Sequence, residues 1–179
     1  VKGGHDAGVS NRAHWRRLAV AVDLDTAHQI ARLLNDELDR VRARHGIAVV
    51  YDCHSIRSRI PFLFDGLLPM FSVGTNGGVT CAPAIEAAVI RHCAAATPGM
   101  DMVLNGRFRG GWTTRHYGRP ETGVHAVQME LAQRAYLADE TPPWTLDPTR
   151  ARTLRHVLGG LLADLDHFAR SGAAAPLTV

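Results

Sequence analysis

The stretch Ile47-Ala48-Val49-Val50-Tyr51, followed at once by Asp52-Cys53-His54-Ser55, decides the fold of this chain. Its short, apolar and largely β-branched composition is typical of a strand buried on both faces of a parallel sheet. An amphipathic helix is predicted directly before it, over residues 26–45, because apolar side chains recur there at steps of three and four residues and Gly46 follows. Helix and strand together predict an α/β fold with His54 at the carboxyl end of the strand, where the sites of such folds gather.

Helices and strands alternate along the rest of the chain. Apolar periodicity predicts a helix from a Thr80 cap to about residue 97, and a long final helix capped by Asp147. Short apolar runs predict strands over residues 101–104 and 124–131. The alternation predicts an α/β sandwich.

Two loops, over residues 55–78 and 105–120, are rich in glycine and arginine, and the second is predicted to contain a hairpin. Guanidinium groups suit bidentate binding of carboxylates, so arginines converging on an anion are the functional interpretation, and solvated loop charges are the alternative. Residues 106–111 also resemble an arginine-glycine RNA-binding element, but only one such element occurs and the net charge is modest. The arginines are Arg57, Arg59, Arg107, Arg109, Arg115 and Arg119.

The bulk composition favours one soluble domain. A chain of 179 residues with 46% hydrophobic content can bury one sizeable core. We expect an irregular or truncated start over residues 1–25, the α/β core over 26–170 and a frayed tail over 171–179. The formal charge of +3 requires no polyanion, and three cysteines without paired spacing predict reduced thiols. Neither a membrane span nor a signal-peptide core is recognised, so the prediction is a cytoplasmic protein with no membrane or nucleic-acid partner.

Two side chains are candidates for chemistry. His54 faces a cleft if it lies at a strand end, and Asp52 is close enough in sequence to orient it; a structural histidine is the alternative. Glu130 lies on an otherwise apolar strand, where an acid costs stability unless it is paired or used. A buried ion pair with an arginine is the alternative for Glu130. Cys53 is disfavoured as a nucleophile activated by His54, because adjacent residues on a strand point to opposite faces.

Five sequence blocks follow one another within about residues 47–136. Together they resemble the N-formylglutamate amidohydrolase family. The resemblance implies a three-layer α/β sandwich with a mixed, largely parallel sheet, similar to the zinc carboxypeptidases and aspartoacylase. The blocks are Asp52-Cys53-His54-Ser55-Ile56-Arg57-Ser58, Gly74-Thr75-Asn76-Gly77-Gly78, Leu104-Asn105-Gly106-Arg107-Phe108-Arg109-Gly110-Gly111, Thr114-Arg115-His116-Tyr117-Gly118-Arg119-Pro120 and Gly123-Val124-His125-Ala126-Val127-Gln128-Met129-Glu130.

The resemblance also implies an activity and a set of roles. The activity is zinc-dependent hydrolysis of N-formyl-L-glutamate to formate and L-glutamate, a step of histidine degradation. By this resemblance His54 is a zinc ligand, and Glu130 is the catalytic carboxylate that takes a proton from water and passes it to the leaving nitrogen. The carboxylates of the substrate are held by residues of the arginine loops, namely Arg57, Arg107, Thr114 and Arg115.

One departure from the family pattern limits these expectations. A Pro-His-Ser-Gly type block with an acidic residue, which supplies the other zinc ligands in the family, is not found, and Gly3-Gly4-His5-Asp6 has the wrong spacing. We therefore expect an incomplete zinc site and weak or absent activity from these residues alone. The alternatives are a related N-acyl amino acid amidohydrolase and an inactive remnant or binding module.

Overall fold

The computed structural model describes residues 24–96 and 99–172. The chain comprises two compact units, Val1–Arg40 and Val41–Val179, and the boundary falls within the first helix. The predicted irregular start and frayed tail lie almost entirely outside the described residues, and the single-domain organisation stays a prediction. The elements are α1 (Leu24–His45), β1 (Ala48–Ile56), β2 (Phe71–Gly74), α2 (Pro83–Ala95), β3 (Met102–Leu104), α3 (Trp112–Tyr117), β4 (Val124–Ala132) and α4 (Pro148–Gly172), with 3-10 turns at Pro120–Thr122 and Gln133–Ala135.

The four strands form one mixed sheet in the order β1-β4-β2-β3. β1 is parallel to β4, β2 is parallel to β3, and β2 and β4 are antiparallel. The predicted α/β fold with a mixed, mostly parallel sheet is therefore confirmed. No helix in the described part of the chain combines the length and the apolar character needed to cross a membrane.

One face of the sheet forms the main core. Alternate residues of β2 and β4, such as Phe71, Val73, Val127 and Met129, are completely buried on this face. They pack against the apolar stripes of α2 and α4, because side chains two residues apart on a strand point the same way. Each such large side chain stabilises the fold by about 1.5–3 kcal/mol. The helix residues of this core include Ile85, Val89, Leu154, Val157 and Leu161.

The opposite face of the sheet carries the polar residues. Glu130 on β4 pairs with His54 on β1 and with Ser72 on β2, so the three side chains lie in a row across the sheet. Two residues earlier on β4, Gln128 pairs with Asp52 on β1 and with Gly74 on β2. We call this side the polar face, and it holds the two residues that the sequence singled out for chemistry.

Four local predictions were wrong. β1 is longer than residues 47–51 and is only partly buried, because it lies at the edge of the described sheet. The predicted loop over residues 55–78 contains β2, and the predicted hairpin is the short helix α3. Thr80 does not cap α2: Ala82 holds that position, and the Thr80 hydroxyl donates instead to the carbonyl of Ala126.

Asp101, the residue before β3, is hydrogen-bonded to Met70, the residue before β2. Its carboxylate accepts hydrogen bonds from the Met70 backbone N–H at 3.0 Å and from the Arg134 guanidinium at 2.7 Å. Partial burial raises the pKa of this carboxyl, but the hydrogen bonds from Met70 and Arg134 outweigh burial and hold the pKa below its ordinary value of 3.8. A carboxyl whose folded pKa is lowered stabilises the fold above that ordinary value and loses its contribution as the pH falls through the folded pKa.

We therefore expect Asp101→Asn to lower the free energy of unfolding near neutral pH, and the deficit to shrink as the pH falls below 3.8. Urea unfolding of the two proteins over a pH series measures this. Asp65, an exposed acid in the loop between β1 and β2, provides an Asp→Asn control that lies outside every strand. A deficit for Asp101→Asn that is equal at all pH values would contradict the assignment.

Candidate active site

His54 and Asp52 form an oriented pair on β1. Their side chains lie on the same face because they are two residues apart, and His54 Nε2 is 2.8 Å from Asp52 Oδ1. About half of the His54 side chain is exposed, whereas that of Asp52 is only 19% exposed. The carboxylate therefore fixes the ring from one nitrogen and leaves the other nitrogen available for a ligand or a proton.

Glu130 is the buried acid of the polar face. It is 7% exposed and lies in register with His54 on the adjacent parallel strand, where neighbouring strands are about 4.8 Å apart. Burial raises the pKa of Glu130, the nearby His54 lowers it and Asp52 raises it further, with a net upward shift. A raised carboxyl pKa suits a group that must both accept and release a proton.

The two arginine loops meet above this end of the sheet. The Arg107 guanidinium lies over the Phe64 ring, 5.4 Å from its centroid, so a residue of each loop is in contact with the other loop. Phe64 and Leu68 are buried against Ala132 at the end of β4, with Ile56, Ile60 and Phe108 packed around them. This small apolar cluster holds both loops against the sheet beside His54 and Glu130.

The second arginine loop passes directly over Gly74 of β2. A Cβ atom at that position would lie 2.4 Å from the Gly110 nitrogen and 2.7 Å from the Arg109 carbonyl carbon. The loop is also tied to the sheet by the Asn76 N–H, which donates to the Arg109 carbonyl, and by the Gly111 N–H, which donates to the side chain of Gln128. A side chain at position 74 would separate the loop from the polar face.

The predicted substrate-binding residues differ in their exposure to solvent. Arg57, Arg107 and Arg115 are exposed, and the Arg115 guanidinium donates to the Gly110 carbonyl. Thr114 is fully buried on α3, and its hydroxyl has no hydrogen-bond partner among the described residues. The arginines thus present charge to solvent near the polar face, whereas Thr114 lies beneath the loop. Their roles in binding stay predictions.

Glu140 holds the loop that carries Arg57. Its carboxylate accepts the Ser58 backbone N–H at 3.0 Å and the Ser58 hydroxyl at 2.8 Å, although the two residues are 82 positions apart. The sequence alone does not indicate the hydrogen bonds between Glu140 and Ser58. It also does not show that Gly74, Gln128 and Ser72 help to form the polar face. Gly74 carried a signal, since a glycine at the end of a short apolar run indicates a close approach of another segment of backbone.

The described residues do not form a complete metal site. Among residues 24–96 and 99–172, no three His, Cys, Asp or Glu side chains are grouped so as to hold a metal ion. His54, bonded through one ring nitrogen to Asp52, has the arrangement of a metal-binding histidine with its carboxylate partner. Because zinc sites use three or four ligands from the protein, these residues fit one position of such a site and do not complete it.

Comparison with known proteins shows the family of this chain. A family model described as N-formylglutamate amidohydrolase matches residues 31–137. The chain belongs to the N-formylglutamate amidohydrolase family. The matched span contains His54, Glu130 and both arginine loops.

Two relatives of this chain are named as enzymes. A protein of Pseudomonas aeruginosa called N-formylglutamate deformylase is 51% identical over 134 residues, covering 75% of this chain and 50% of the relative. One of Pseudomonas putida with the same name is 50% identical over 132 residues, covering 74% of this chain and 49% of the relative. The chain therefore spans about half the length of the curated relatives that it matches.

A solved structure supports the fold. The N-formylglutamate amidohydrolase from Ralstonia eutropha JMP134 superposes with a TM-score of 0.66 at 20% identity, covering 81% of this chain and 51% of that structure. At this level of identity the likeness shows the shared α/β fold alone.

Proposed function

We propose that this chain carries the substrate-binding and acid–base part of an enzyme that hydrolyses N-formyl-L-glutamate to formate and L-glutamate, the formate-releasing step of histidine degradation. One observation carries the proposal: Glu130 and His54 lie side by side on the polar face, beneath two joined arginine loops. The name shared by the Pseudomonas relatives supports the choice of substrate.

Glu130 supplies the proton transfers in this proposal. The ionised carboxylate accepts a proton from a water molecule as the water oxygen bonds to the formyl carbon. The protonated carboxyl then gives that proton to the amide nitrogen as the carbon–nitrogen bond breaks, which releases formate and the amine of glutamate. Burial in the sheet, which raises the pKa of Glu130, brings the two protonation states closer in free energy and so favours both transfers.

The exposed guanidinium groups of Arg57, Arg107 and Arg115 bind the two carboxylates of the substrate in this proposal. Arginine suits the task because its planar fork donates two parallel hydrogen bonds to one carboxylate. The contact between Arg107 and Phe64, together with the tie between Ser58 and Glu140, limits the movement of both loops. A small dicarboxylate is therefore the ligand class that we assign to the polar face.

We include zinc dependence in the proposal, with His54 as one ligand and the others supplied from outside the described residues. A bound zinc ion would polarise the formyl carbonyl and promote ionisation of water. The similarity to zinc carboxypeptidases and aspartoacylase that the family resemblance implies belongs to the same proposal.

Formate release tests this function. The purified protein is assayed with N-formyl-L-glutamate and with N-acetyl-L-aspartate over a range of zinc concentrations, while circular dichroism monitors folding. We expect slow but measurable release of formate that depends on zinc, and no comparable release of acetate. Preferential release of acetate would favour the related N-acyl amino acid amidohydrolase. A folded protein that releases neither product at any zinc concentration would overturn the proposal for this chain.

A further inference from the structure

Ser72 is a polar residue in an unusual position. It lies in the centre of β2, is 1% exposed, and its hydroxyl has no hydrogen-bond partner among the described residues. Two other buried hydroxyls near β2 are bonded, since Thr80 donates to the Ala126 carbonyl and Thr75 donates to Glu86, whereas the buried hydroxyl of Thr114 on α3 also has no partner among the described residues. Because an unpaired buried hydroxyl costs stability, the Ser72 hydroxyl calls for a specific explanation.

The sheet register places one polar partner next to Ser72. Ser72 pairs with Glu130 across the antiparallel β2–β4 ladder, so both side chains lie on the polar face with Cβ atoms about 4.5–5.5 Å apart. On its other side Ser72 pairs with Val103 of β3, which has no polar side-chain atom. Rotation of a short serine and a longer glutamate side chain is enough to bring the hydroxyl to a carboxylate oxygen at this separation.

We propose that Ser72 is a positioning residue, whose hydroxyl donates a hydrogen bond to the Glu130 carboxylate and holds it facing the substrate. This inference rests on the proposed function in assigning the proton transfers to Glu130. Glu130 then has His54 on one side and Ser72 on the other, both in register with it. A carboxylate fixed between neighbours presents one oxygen to the reacting water more reliably than one that is free to rotate.

The other charged groups near Glu130 do not replace this donor. On β1 the facing groups are Asp52, which is an acceptor when ionised, and His54, whose Nε2 is already bonded to Asp52. The ionisable side chains of α3, which packs against β4, are Arg115, His116 and Tyr117. Arg115 donates to the Gly110 carbonyl, and His116 is stacked on Trp112. Of the side chains in register with Glu130, only Ser72 carries a hydroxyl.

Carboxyl-carbon NMR tests the inference without relying on activity. The Glu130 carboxyl signal of ¹³C-labelled protein is identified by its loss in Glu130→Gln and then compared, at one pH, in Ser72→Ala, Ser72→Thr and the unchanged protein. We expect the signal to move in Ser72→Ala and to return towards its original position in Ser72→Thr, which restores a donor. Thr80→Val, which removes a buried hydroxyl that donates to the Ala126 carbonyl of β4, is the matched control and should leave the signal in place.

Kinetics add a second measurement where formate release is detected. We expect Ser72→Ala to lower kcat by roughly tenfold with little change in KM, because Ser72 acts on the carboxylate and not on the substrate. An unchanged Glu130 signal in a folded Ser72→Ala protein would overturn the inference, whatever the activity. If the variants fail to fold, a crystal structure of the unchanged protein decides. A distance of roughly 2.5–3.0 Å between Ser72 Oγ and a Glu130 oxygen supports the inference, and a hydroxyl directed at a backbone carbonyl overturns it.

Discussion

Glu130→Gln should reduce formate release from N-formyl-L-glutamate by about 10²- to 10⁴-fold, because the amide cannot take a proton from water or return it to the leaving nitrogen. Glutamine has almost the same shape and carries no charge. Since burial raises the pKa of Glu130, removal of its charge should leave the folded protein at least as stable as before. Steady-state kinetics and thermal unfolding of the same preparations measure the two effects.

A matched control is available for this substitution. Glu121 is an exposed glutamate on the 3-10 turn before β4, so Glu121→Gln makes the same chemical change away from the polar face. We expect that variant to keep both activity and stability. If Glu130→Gln retains most of the activity, the acid–base role of Glu130 is wrong.

Gly74→Ala should displace the arginine loop that lies over the polar face. The added methyl group would lie within 3 Å of three backbone atoms of residues 108–110, so the arginine loop must move away from β2. Overpacking of this kind costs about 1–3 kcal/mol. We expect a lower unfolding temperature and, where activity is measured, a raised KM, because the loop that carries Arg107 is displaced.

Gly159→Ala is the corresponding control. Gly159 lies in α4, and a Cβ atom there would meet nothing within 4 Å. Alanine in an exposed helix interior is more favourable than glycine by roughly 0.5–1 kcal/mol, so this variant should become slightly more stable. Differential scanning calorimetry of both variants gives the comparison. Equal stability of Gly74→Ala and the unchanged protein would contradict the tight crossing of the loop over β2.

Sequence reasoning identified the elements with strong local patterns. The helix before Gly46, the strand that begins near Ile47 and the strand that carries Glu130 all have apolar patterns that a local reading detects. Because parallel strands of such folds gather functional residues at their carboxyl ends, the sequence alone indicates His54 and Glu130 as site residues. The structure adds that their strands are direct neighbours in register.

The missed features depend on contacts between distant parts of the chain. β2 has only four residues, Phe71–Gly74, which is too short for a period to be recognised. The helix α3 is six residues long, and the Gly111 N–H at its start is bonded to Gln128, 17 positions away. Ser72 on β2 pairs with Glu130 on β4, although the two residues are 58 positions apart in the chain (130 − 72). Such register is set by tertiary packing, and no local pattern encodes it.

The location of the substrate on the polar face can be tested most directly by an NMR titration of Glu130→Gln with N-formyl-L-glutamate in the presence of zinc. This variant is expected to bind without turning the substrate over. We predict saturable shifts of backbone amide signals at the ends of β1 and β4 and in the loop over residues 105–111, with none on the exposed side of α4. Shifts confined to other surfaces, or no saturable shifts in the folded protein, would contradict a binding site on the polar face.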